Sequence, residues 1–495
     1  MHPLITQPGS MLGAAALLLV GGCAVLPSSE RDQTPDIPGP SLRLLSSTAY
    51  PTGAPLEIVA VCHETRRGWV TLADTNAIAG FSVDPDGTLT WLETLPVGAP
   101  DESPTSVAVH TGLMAASVPH VDPTRPGAVH LFTVGGQPVA RVAVGHHPDM
   151  LAFSHDGARL LVVNEGEPGT EPGTEVDPPG SLSVIDLARD GDQSRVTGVQ
   201  QLAFGTPSAS DTALRWTTPL AETPPDWIEP EYAAFSEDDA VAFVTCQENN
   251  GVAVVDLRAD PPAITALLDL GEFVHTGPHA LRPGSGVERL RSLPQPDGIA
   301  TLAFDGRPVF LTADEGDPRD DWGDDRVAEH DGIECVGSAL DEGRTLIFGS
   351  RGLTLWSAGG SRLATATTPV LQWLADNRPQ SPAIERIADR DHRRGSEPET
   401  VVAWQNGDAW MAAAAFERAG AVGLFRVTTD AITTLDVLVL PDGPVDGRTR
   451  SPAPEGLALL PAASPDDAAM LLVADERLGR LSVVLIQSGD RPRAE

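Results

Sequence analysis

One short pattern recurs seven times along the chain, and it constrains the fold more than any other feature of the sequence. The clearest copy is PDMLAFSHDGARLLVVNEGE, from Pro148 to Glu167. An acid opens an apolar strand, a turn follows at His155-Asp156-Gly157, and a second apolar strand returns to further acids. The opening positions of the seven copies are Glu57, Thr105, Asp149, Glu231, Asp297, Glu399 and Glu455, and proline directly precedes six of them. Such recurrence indicates a fold built from copies of one supersecondary unit.

Each predicted hairpin is followed by a third apolar strand, and most copies have a plausible fourth. The intervals between copies are unequal, and the shorter ones approach the length of a four-stranded propeller blade of the WD40/YVTN-like kind. We therefore predict an all-β fold, a seven-bladed β-propeller in which fixed hairpins alternate with variable connections. Two stacked β-sandwiches are the alternative, which the regular hairpins disfavour.

The last predicted blade shows no fourth strand of its own after Ile486. The segment 42–49, LRLLSSTA, precedes the first blade and has no other assigned role. We expect it to pair as the outer strand of the last blade, which would close the ring and remove an open sheet edge. The propeller would then span residues 42–490, with inserted loops or small caps at about 188–221, 271–295, 318–343 and 359–396.

The N-terminal stretch MLGAAALLLVGGC reads as an export signal, because its apolar run is too short to span a bilayer comfortably. Its last residues, LVGGC, resemble a bacterial lipobox, in which the cysteine becomes the lipidated first residue of the mature protein. We predict a signal peptide over residues 1–23, lipidation of Cys23 and a flexible tether over 24–41. The protein would then be exported and either lipid-anchored to the bacterial cell envelope or extracellular. An ordinary signal peptide with a nearby cleavage site is the alternative.

Charge and motifs narrow the classes of partner and activity. Lys and Arg together number 33 against 69 Asp and Glu, for a formal net charge of −36, which argues against nucleic acid or an anionic membrane surface as a partner. Membrane attachment would come only through the lipid anchor. The chain has no G-x-S-x-G elbow, Walker loop or zincin motif, so the commonest enzyme classes are excluded. Cys62 and Cys246 fall in predicted strands and are expected to be buried free thiols.

In an antiparallel hairpin, the start of the first strand and the end of the second lie at the same end. The acids that open and close the hairpins should therefore meet at one rim of the propeller channel. The opening acids are Glu57, Asp149, Glu231, Asp297, Glu399 and Glu455, and the closing acids are Asp74, Glu165, Glu248, Glu315, Glu417 and Glu476. Neighbouring carboxylates raise one another's pKa and burial adds a desolvation penalty, so such a ring needs compensating cations.

We predict that the rim binds metal through ten of these acids: Asp149, Glu165, Glu231, Glu248, Asp297, Glu315, Glu399, Glu417, Glu455 and Glu476. Oxygen-only ligands suit Ca²⁺ first, with Mg²⁺ or Mn²⁺ behind it, and backbone carbonyls and the amides of Asn164, Asn249 and Asn250 could add ligands. In the alternative interpretation, each acid accepts hydrogen bonds from an adjacent turn and pairs with an arginine such as Arg418 or Arg477. No single position decides between the two.

At these residues the sequence resembles the choice-of-anchor I family, extracellular bacterial β-propellers that are similar to a mesenchyme-specific cell-surface glycoprotein. The matching stretches are EIVAV, PTSVAVHTGLMAASVP, PDMLAFSHDGARLLVVNEGEP, EPEYAAFSEDDAVAFVTCQENN, PDGIATL, LTADEGDPRDDWGDD, EPETVVAW, FERAGAVGLFRV and PEGLALLP. The resemblance implies a propeller held at the cell surface by one of several kinds of anchor. The Pro-Glu-Gly hairpins are also similar to phytase-like and esterase-like propellers, but no set of catalytic residues carries over.

Three functions fit these features. The first is a cell-surface binding module whose rim holds Ca²⁺ and presents the inserted loops to a surface protein or glycan. The second is a metal-dependent phosphoester hydrolase, phosphatase-like or phytase-like, in which Arg319, Arg326 or His147 would contact the phosphate. In the third, the acids are structural only. We favour a monomeric binding module, because no nucleophile or base stands out from the repeated acids, and we leave catalytic activity open.

Overall fold

Four-stranded antiparallel sheets, each built around one of the predicted hairpins, account for most of the described chain. The structure is a computed structural model, and it describes residues 39–73, 75–166, 178–189, 194–204, 228–275, 291–318, 327–330, 333–341, 343–390, 393–462 and 468–487. Within these ranges the chain forms 35 strands and three short helices, so the prediction of an all-β fold is confirmed. None of these helices is long and apolar enough to cross a bilayer.

The first half of the chain forms four sheets in sequence order. The first described strand is β1 (Ser41–Ala49). Sheet 1 contains β2 (Leu56–Val61), β3 (Arg67–Leu72), β4 (Ala77–Val83) and β5 (Leu89–Pro96). Sheet 2 contains β6 (Ser106–His110), β7 (Leu113–Val118), β8 (Ala128–Thr133) and β9 (Pro138–Ala143). Sheet 3 contains β10 (Pro148–Phe153), β11 (Arg159–Asn164), β12 (Ser181–Ala188) and β13 (Arg195–Ala203), and sheet 4 contains β14 (Ala233–Phe235), β15 (Val241–Cys246), β16 (Gly251–Asp256) and β17 (Ala263–Asp269).

The second half contains three more sheets and the described insertions. After β18 (Phe273–Val274) and β19 (Arg291–Leu293), sheet 5 begins with β20 (Ile299–Phe304) and β21 (Arg307–Asp314). An insertion follows with β22 (Val327–His330), β23 (Ile333–Val336), α1 (Gly337–Asp341) and β24 (Leu346–Phe348), and β25 (Gly352–Ser357) and β26 (Arg362–Ala366) complete sheet 5. Helices α2 (Pro369–Asn377) and α3 (Pro382–Arg390) precede sheet 6, which contains β27 (Pro398–Asn406), β28 (Ala409–Phe416), β29 (Ala421–Val427) and β30 (Ile432–Val439). The hairpin of β31 (Gly443–Val445) and β32 (Arg448–Arg450) leads to sheet 7, with β33 (Pro454–Leu460), β34 (Met470–Asp475) and β35 (Arg480–Gln487).

The fourth strand of sheet 7 is β1, from the other end of the described chain. It pairs antiparallel with β35, with Ser41 opposite Gln487 and Ala49 opposite Arg480, as the sequence predicted for segment 42–49. The same strand is also held by sheet 6, because the Leu42 N–H donates to the Asp436 carboxylate at 2.7 Å. Sheet 7 is therefore completed by residues that are far from it in sequence.

The hydrophobic core is divided among interfaces between neighbouring sheets. One cluster packs sheet 7 against sheet 1, a second packs sheet 2 against sheet 3, and a third packs sheet 3 against sheet 4. The first strand of each sheet contacts the first strand of the next, and β33 of sheet 7 contacts β2 of sheet 1. This cyclic order of face-packed four-stranded sheets is a propeller-like arrangement, with the first strands around a common axis.

Two of the ranges predicted as insertions contain strands of the sheets themselves. Strand β13 lies within 188–221 and β26 lies within 359–396, so part of each range belongs to a sheet. The other two ranges contribute β18, β19, β22, β23 and α1, and β18 and β19 form a small sheet with β24. The prediction for the thiols is confirmed, since Cys62 and Cys246 are buried and free.

Glycines after two of the opening acids allow neighbouring first strands to approach closely. The Gly298 N–H donates to the Glu399 carbonyl oxygen of sheet 6 at 3.1 Å, and a Cβ at Gly298 would collide with that oxygen. A Cβ at Gly456 would likewise collide with the carbonyl oxygen of Glu57 in sheet 1. The third residue of the Pro-Asp-Gly and Pro-Glu-Gly stretches is therefore fixed by backbone packing between sheets.

Substitution of Gly298 by alanine should destabilise the fold, because the colliding atom is backbone and cannot rotate away. We expect a loss of about 1–3 kcal/mol in the free energy of unfolding, measured by urea denaturation. The matched control is Gly359→Ala in the β25–β26 turn, where the nearest atom to a new Cβ is 4.0 Å away. Equal stability of the two variants would contradict this account of sheet packing.

Candidate functional site

β-Bulges place several opening acids at the start of the first strands. The ladder between the first and second strands shifts register between Leu56 and Val59, Pro148 and Met150, Pro398 and Val401, and Pro454 and Leu457. The residues enclosed by these shifts include Glu57, Asp149, Glu399 and Glu455. Proline lacks the N–H that a regular ladder needs, and a bulge redirects the side chain of the extra residue.

In three hairpins, the carbonyl of the residue two positions before the opening acid accepts a hydrogen bond from the backbone N–H of the closing acid. The Glu165 N–H donates to the His147 carbonyl at 2.9 Å, and the Glu417 N–H donates to the Glu397 carbonyl at 2.9 Å. The Glu476 N–H makes the same bond to the carbonyl of Ala453, at 3.0 Å. In these three hairpins the bond brings the closing acid beside its opening acid.

The main-chain carbonyls of the opening acids are used to join adjacent sheets. Thr245 Oγ1 donates to the Asp297 carbonyl at 2.8 Å, and Thr400 Oγ1 donates to the Glu455 carbonyl at 2.8 Å. The Glu399 carbonyl accepts from Gly298, as described above. These carbonyls are therefore engaged in the fold, and the oxygens that the same residues offer to a ligand are those of their carboxylates.

Three groups of carboxylates converge at this end of the sheets. Within each group, one oxygen from each of three residues lies within 4.8 Å of the others. The first group is Glu165, Glu231 and Glu248, the second is Asp297, Glu315 and Glu399, and the third is Glu397, Glu399 and Glu417. Seven of the ten predicted metal ligands thus lie in these groups, and the second and third groups share Glu399.

The other predicted ligands lie outside the three groups. Burial is the main cause of the raised pKa of Asp297, and the carboxylates of Asp149 and Glu455 add to it. Glu476 contributes in the same way, after burial, to the raised pKa of Glu417. Asp149, Glu455 and Glu476 therefore act on the grouped acids through charge, while Asp74 lies outside the described residues.

Burial and like charge together raise the pKa of most of the grouped acids. Burial is the largest cause of the raised pKa of Glu231, Glu248 and Glu399. Nearby carboxylates raise it further, so each pKa lies well above the usual value. For Glu315, burial and Asp317 raise the pKa to about 8, although Arg394 acts in the opposite direction. Burial raises the pKa of Glu417 to about 7 against the opposing effect of Arg418.

Arginines compensate the third group. Arg390 Nη2 lies 2.7 Å from Glu397 Oε1, and Arg418 Nε lies 3.0 Å from Glu397 Oε2. Arg418 also pairs with Glu417, and Arg477 Nη2 lies 3.1 Å from the same carboxylate. The prediction left open whether the rim acids bind metal or pair with arginine, and for Glu417 the described partners are Arg418 and Arg477.

The first and second groups have different described partners. His147 Nδ1 lies 2.9 Å from Glu165 Oε2 in the first group, and Arg394 Nη1 lies 3.5 Å from Glu315 Oε1 in the second. Gln247 Nε2 donates to the other Glu315 oxygen at 2.6 Å. The Glu231 and Glu399 carboxylates make no hydrogen bond or ion pair with any residue in the described ranges, although only 9% and 5% of these residues is exposed.

The asparagine amides that were predicted to add ligands have structural partners. Asn164 Oδ1 accepts from the Gly145 N–H at 3.0 Å, and Asn250 Oδ1 accepts from the Gln295 N–H at 3.0 Å. Asn249 Oδ1 accepts from the Glu229 N–H, also at 3.0 Å. These amides hold backbone segments of the rim in place and are engaged by the protein itself.

Sequence reasoning missed two acids of the rim, Glu229 and Glu397. Glu397 is fully buried within the third group, and Glu229 is, after burial, the largest contributor to the raised pKa of Glu248. Both stand at the position two residues before an opening acid, in the Glu-Pro-Glu stretches at 229–231 and 397–399. That repeated tripeptide was the signal that could have revealed them.

An apolar wall lies directly behind the carboxylates. Ile58, Met150, Tyr232 and Thr400 each follow an opening acid in sequence, and they line a cavity of about 240 Å³ between the first strands. The Tyr232 hydroxyl lies 3.3 Å from Thr400 Oγ1, which links sheet 4 to sheet 6.

Comparisons with known proteins agree with this architecture. The sequence profile of the choice-of-anchor I domain matches residues 57–339. A chain of the mitotic checkpoint complex crystal structure is 12% identical, with a TM-score of 0.50, and the alignment covers 96% of this chain and 99% of that one. The periplasmic gluconolactonase of Pseudomonas aeruginosa is 14% identical, with a TM-score of 0.43, and the alignment covers 78% of this chain and 85% of that one. No curated protein sequence gives a significant match. At these identities a structural likeness concerns the fold alone.

We expect the metal-free protein to lose stability as the pH rises through neutrality. The pKa values of Glu417 and Glu315 are about 7 and about 8 in the folded chain, against an ordinary value of 4.5. The folded state therefore binds more protons than the unfolded state, and its advantage is complete below about pH 4.5 and lost as the pH passes about 7 and 8. Urea denaturation in chelator at a series of pH values measures this slope.

Glu315→Gln is the control for this measurement, because it removes one titrating group and should make the slope shallower. A free energy of unfolding that rises steadily with pH between about 5 and 8 would show that these acids are not held protonated by the fold.

Proposed function

Because the chain belongs to the choice-of-anchor I family, we propose that it is a cell-surface binding module, a closed seven-bladed β-propeller that holds a divalent cation at its acidic rim. Family membership implies a cell-surface or extracellular protein. The seven-bladed architecture is supported by the seven four-stranded sheets, the cyclic contacts of their first strands and the pairing of β1 with β35. Each sheet would be one blade.

The Glu231 carboxylate is the single observation that carries cation binding. Residue Glu231 is nine-tenths buried, and its carboxylate lies in the first group and has no hydrogen-bonding or ion-pairing partner among the described residues. A buried carboxylate without a partner must either take up a proton or bind a cation, because an uncompensated buried charge is costly. The raised pKa of Glu231 corresponds to proton uptake, and we propose cation binding as the alternative.

The ligand chemistry favours Ca²⁺, with Mg²⁺ and Mn²⁺ behind it. Glu165, Glu231 and Glu248 offer oxygen ligands only, which suits hard cations. Ca²⁺ takes about six to eight oxygens, so three carboxylates leave several positions for water or for an oxygen of a bound partner. A surface protein or glycan with carboxylate or hydroxyl oxygens could complete the coordination.

Attachment through a lipid is part of the proposal. Cys23 and the predicted signal peptide lie outside the described residues, and the support for lipidation is the LVGGC sequence itself. A lipid anchor would hold the module at the surface of the cell envelope, where its ligands would be extracellular.

Cation binding is tested by titrating Ca²⁺ into chelator-treated protein. We expect Ca²⁺ to bind in isothermal titration calorimetry and to raise the melting temperature, since a ligand at about 100 times its Kd stabilises the fold by about 2.7 kcal/mol. Glu231→Gln should abolish this shift, and it should stabilise the metal-free protein at high pH, where the amide has no proton to lose. Glu237→Gln, in the exposed β14–β15 turn of the same sheet, is the matched control and should respond like wild type.

The same preparations separate binding from catalysis. The binding module predicts no turnover of p-nitrophenyl phosphate or its diester with Ca²⁺ or Mn²⁺. Metal-dependent turnover that is lost in Glu231→Gln would support the phosphoester hydrolase instead. The two arginines suggested for phosphate contact, Arg319 and Arg326, lie outside the described residues, and His147 faces Glu165. Wild-type protein that neither binds nor responds to any of the three cations would contradict both functions.

Cys23→Ser should release the protein from membranes when the full chain is expressed in a bacterial host. The lipidated form should sediment with the membrane fraction and carry a mass increase on its N-terminal peptide, because the lipid supplies the attachment. Ser28→Ala, in the predicted tether, is the control and should stay with the membranes. Equal fractionation of wild type and the cysteine variant would exclude the lipid anchor.

A further inference from the structure

We propose that the Arg394 guanidinium is a built-in cation of the second carboxylate group, taking the place that a divalent cation would otherwise occupy. The wild-type chain would then bind its divalent cation at the first group alone. This inference rests on the proposed cation-binding function of the rim, and it defines how many ions the rim accepts and which residue sets that number.

Arg394 pairs with two acids: Glu315, which belongs to the second group, and Asp317, which does not. Its Nη1 lies 2.9 Å from Asp317 Oδ1 and 3.5 Å from Glu315 Oε1, and 19% of its side chain is exposed. Burial by itself would lower the pKa of Arg394, yet the carboxylates of Asp317 and Glu315 raise it further above its ordinary value. The guanidinium is therefore charged under all ordinary conditions.

The backbone that carries Arg394 is held in position by a buried arginine. Arg351 is 2% exposed, and its Nη2 donates to the carbonyl of Arg393 at 3.0 Å. Gly395, with φ +77°, packs against the Arg351 side chain, where a Cβ would lie 2.8 Å from its Nε. The Ser396 hydroxyl donates to the Arg351 carbonyl at 3.2 Å. Residues 393–396 are thus fixed on both sides of Arg394, and its side chain starts from a defined point.

One guanidinium leaves the second group incompletely compensated. The group has three acidic side chains, those of Asp297, Glu315 and Glu399. Its one described ion pair joins Arg394 to Glu315. Glu399 is only 5% exposed and belongs to the group, and its carboxylate has no hydrogen-bonding or ion-pairing partner among the described residues. The Glu399 carboxylate is thus available to bind a divalent cation.

The third group shows what fuller compensation by arginine looks like. There Arg390 pairs with Glu397, Arg477 pairs with Glu417, and Arg418 pairs with both carboxylates. In the second group Gln247 donates to one Glu315 oxygen, and the one described ion pair is that of the Arg394 side chain with the other oxygen. Removal of that side chain would leave three converging carboxylates similar to the first group, and a divalent cation would bind them.

Arg394→Gln tests this inference through the number of ions bound. Calorimetry and native mass spectrometry of the full chain with Ca²⁺ should give one ion for wild type and two for Arg394→Gln. Arg393→Gln is the matched control, since Arg393 pairs with Glu334 at 2.8 Å instead of with the rim, and it should bind one ion. The double variant Arg394→Gln with Glu399→Gln should return to one.

The outcomes separate the inference from the function on which it rests. Wild type that binds no cation removes the proposed function and this inference together. Wild type that binds one ion, with Arg394→Gln also binding one, leaves the function intact and overturns the inference, and so does wild type that already binds two.

Loss of folding in Arg394→Gln is also decisive. If that variant is unfolded in chelator, added Ca²⁺ should restore its cooperative melting transition, because the ion replaces the lost charge. Arg394→Lys, which keeps the charge, should fold without Ca²⁺ and bind one ion. An Arg394→Gln chain that Ca²⁺ fails to rescue would overturn the inference.

Discussion

Carboxylates that converge in a poorly hydrated place are the constraint from which the other properties of the rim follow. Three oxygens within 4.8 Å of one another cannot all carry charge unless something compensates them. Protons, fixed arginines and bound cations can each compensate the negative charge of the carboxylates, and they differ in the conditions under which they act. Protons leave as the pH rises, arginines are permanent, and a metal ion acts only when it is supplied. Of these means, the described arginine contacts differ among the three groups, with more of them at the third group than at the second.

The fold creates this convergence through backbone geometry. The sheets meet at their first strands, and each first strand begins at a proline or within three residues after one, so the opening acids lie at or just before the start of a ladder. The carbonyl of the residue before that proline then fixes the closing acid, as at His147 with Glu165 and at Glu397 with Glu417. Because the hairpin repeats, its pair of opening and closing acids repeats with it, and like charges accumulate around one axis.

The sequence predicted the parts of the structure that depend on local pattern. Strand alternation and turns located the hairpins, and the missing outer strand of the last sheet pointed to segment 42–49, which pairs with β35. Pairings between distant side chains could not be derived in this way. The ion pair of Arg394 with Glu315 depends on the path of the chain after α3, and the contrast among the three groups depends on such arginines. Asn164 and Asn250 were suitable ligands by chemistry alone, and only the structure shows the backbone donors that use their oxygens.

The pairing of β1 with β35 has a consequence for biosynthesis. Ser41 and Gln487, which meet at the end of this ladder, are separated by 446 residues. At a synthesis rate of about 5–20 residues per second, β1 leaves the ribosome roughly 20–90 s before its partner exists. The ring cannot finish folding while the chain is still being made, so β1 must remain unpaired through elongation. A chain with this delay reaches its final form only after release from the ribosome.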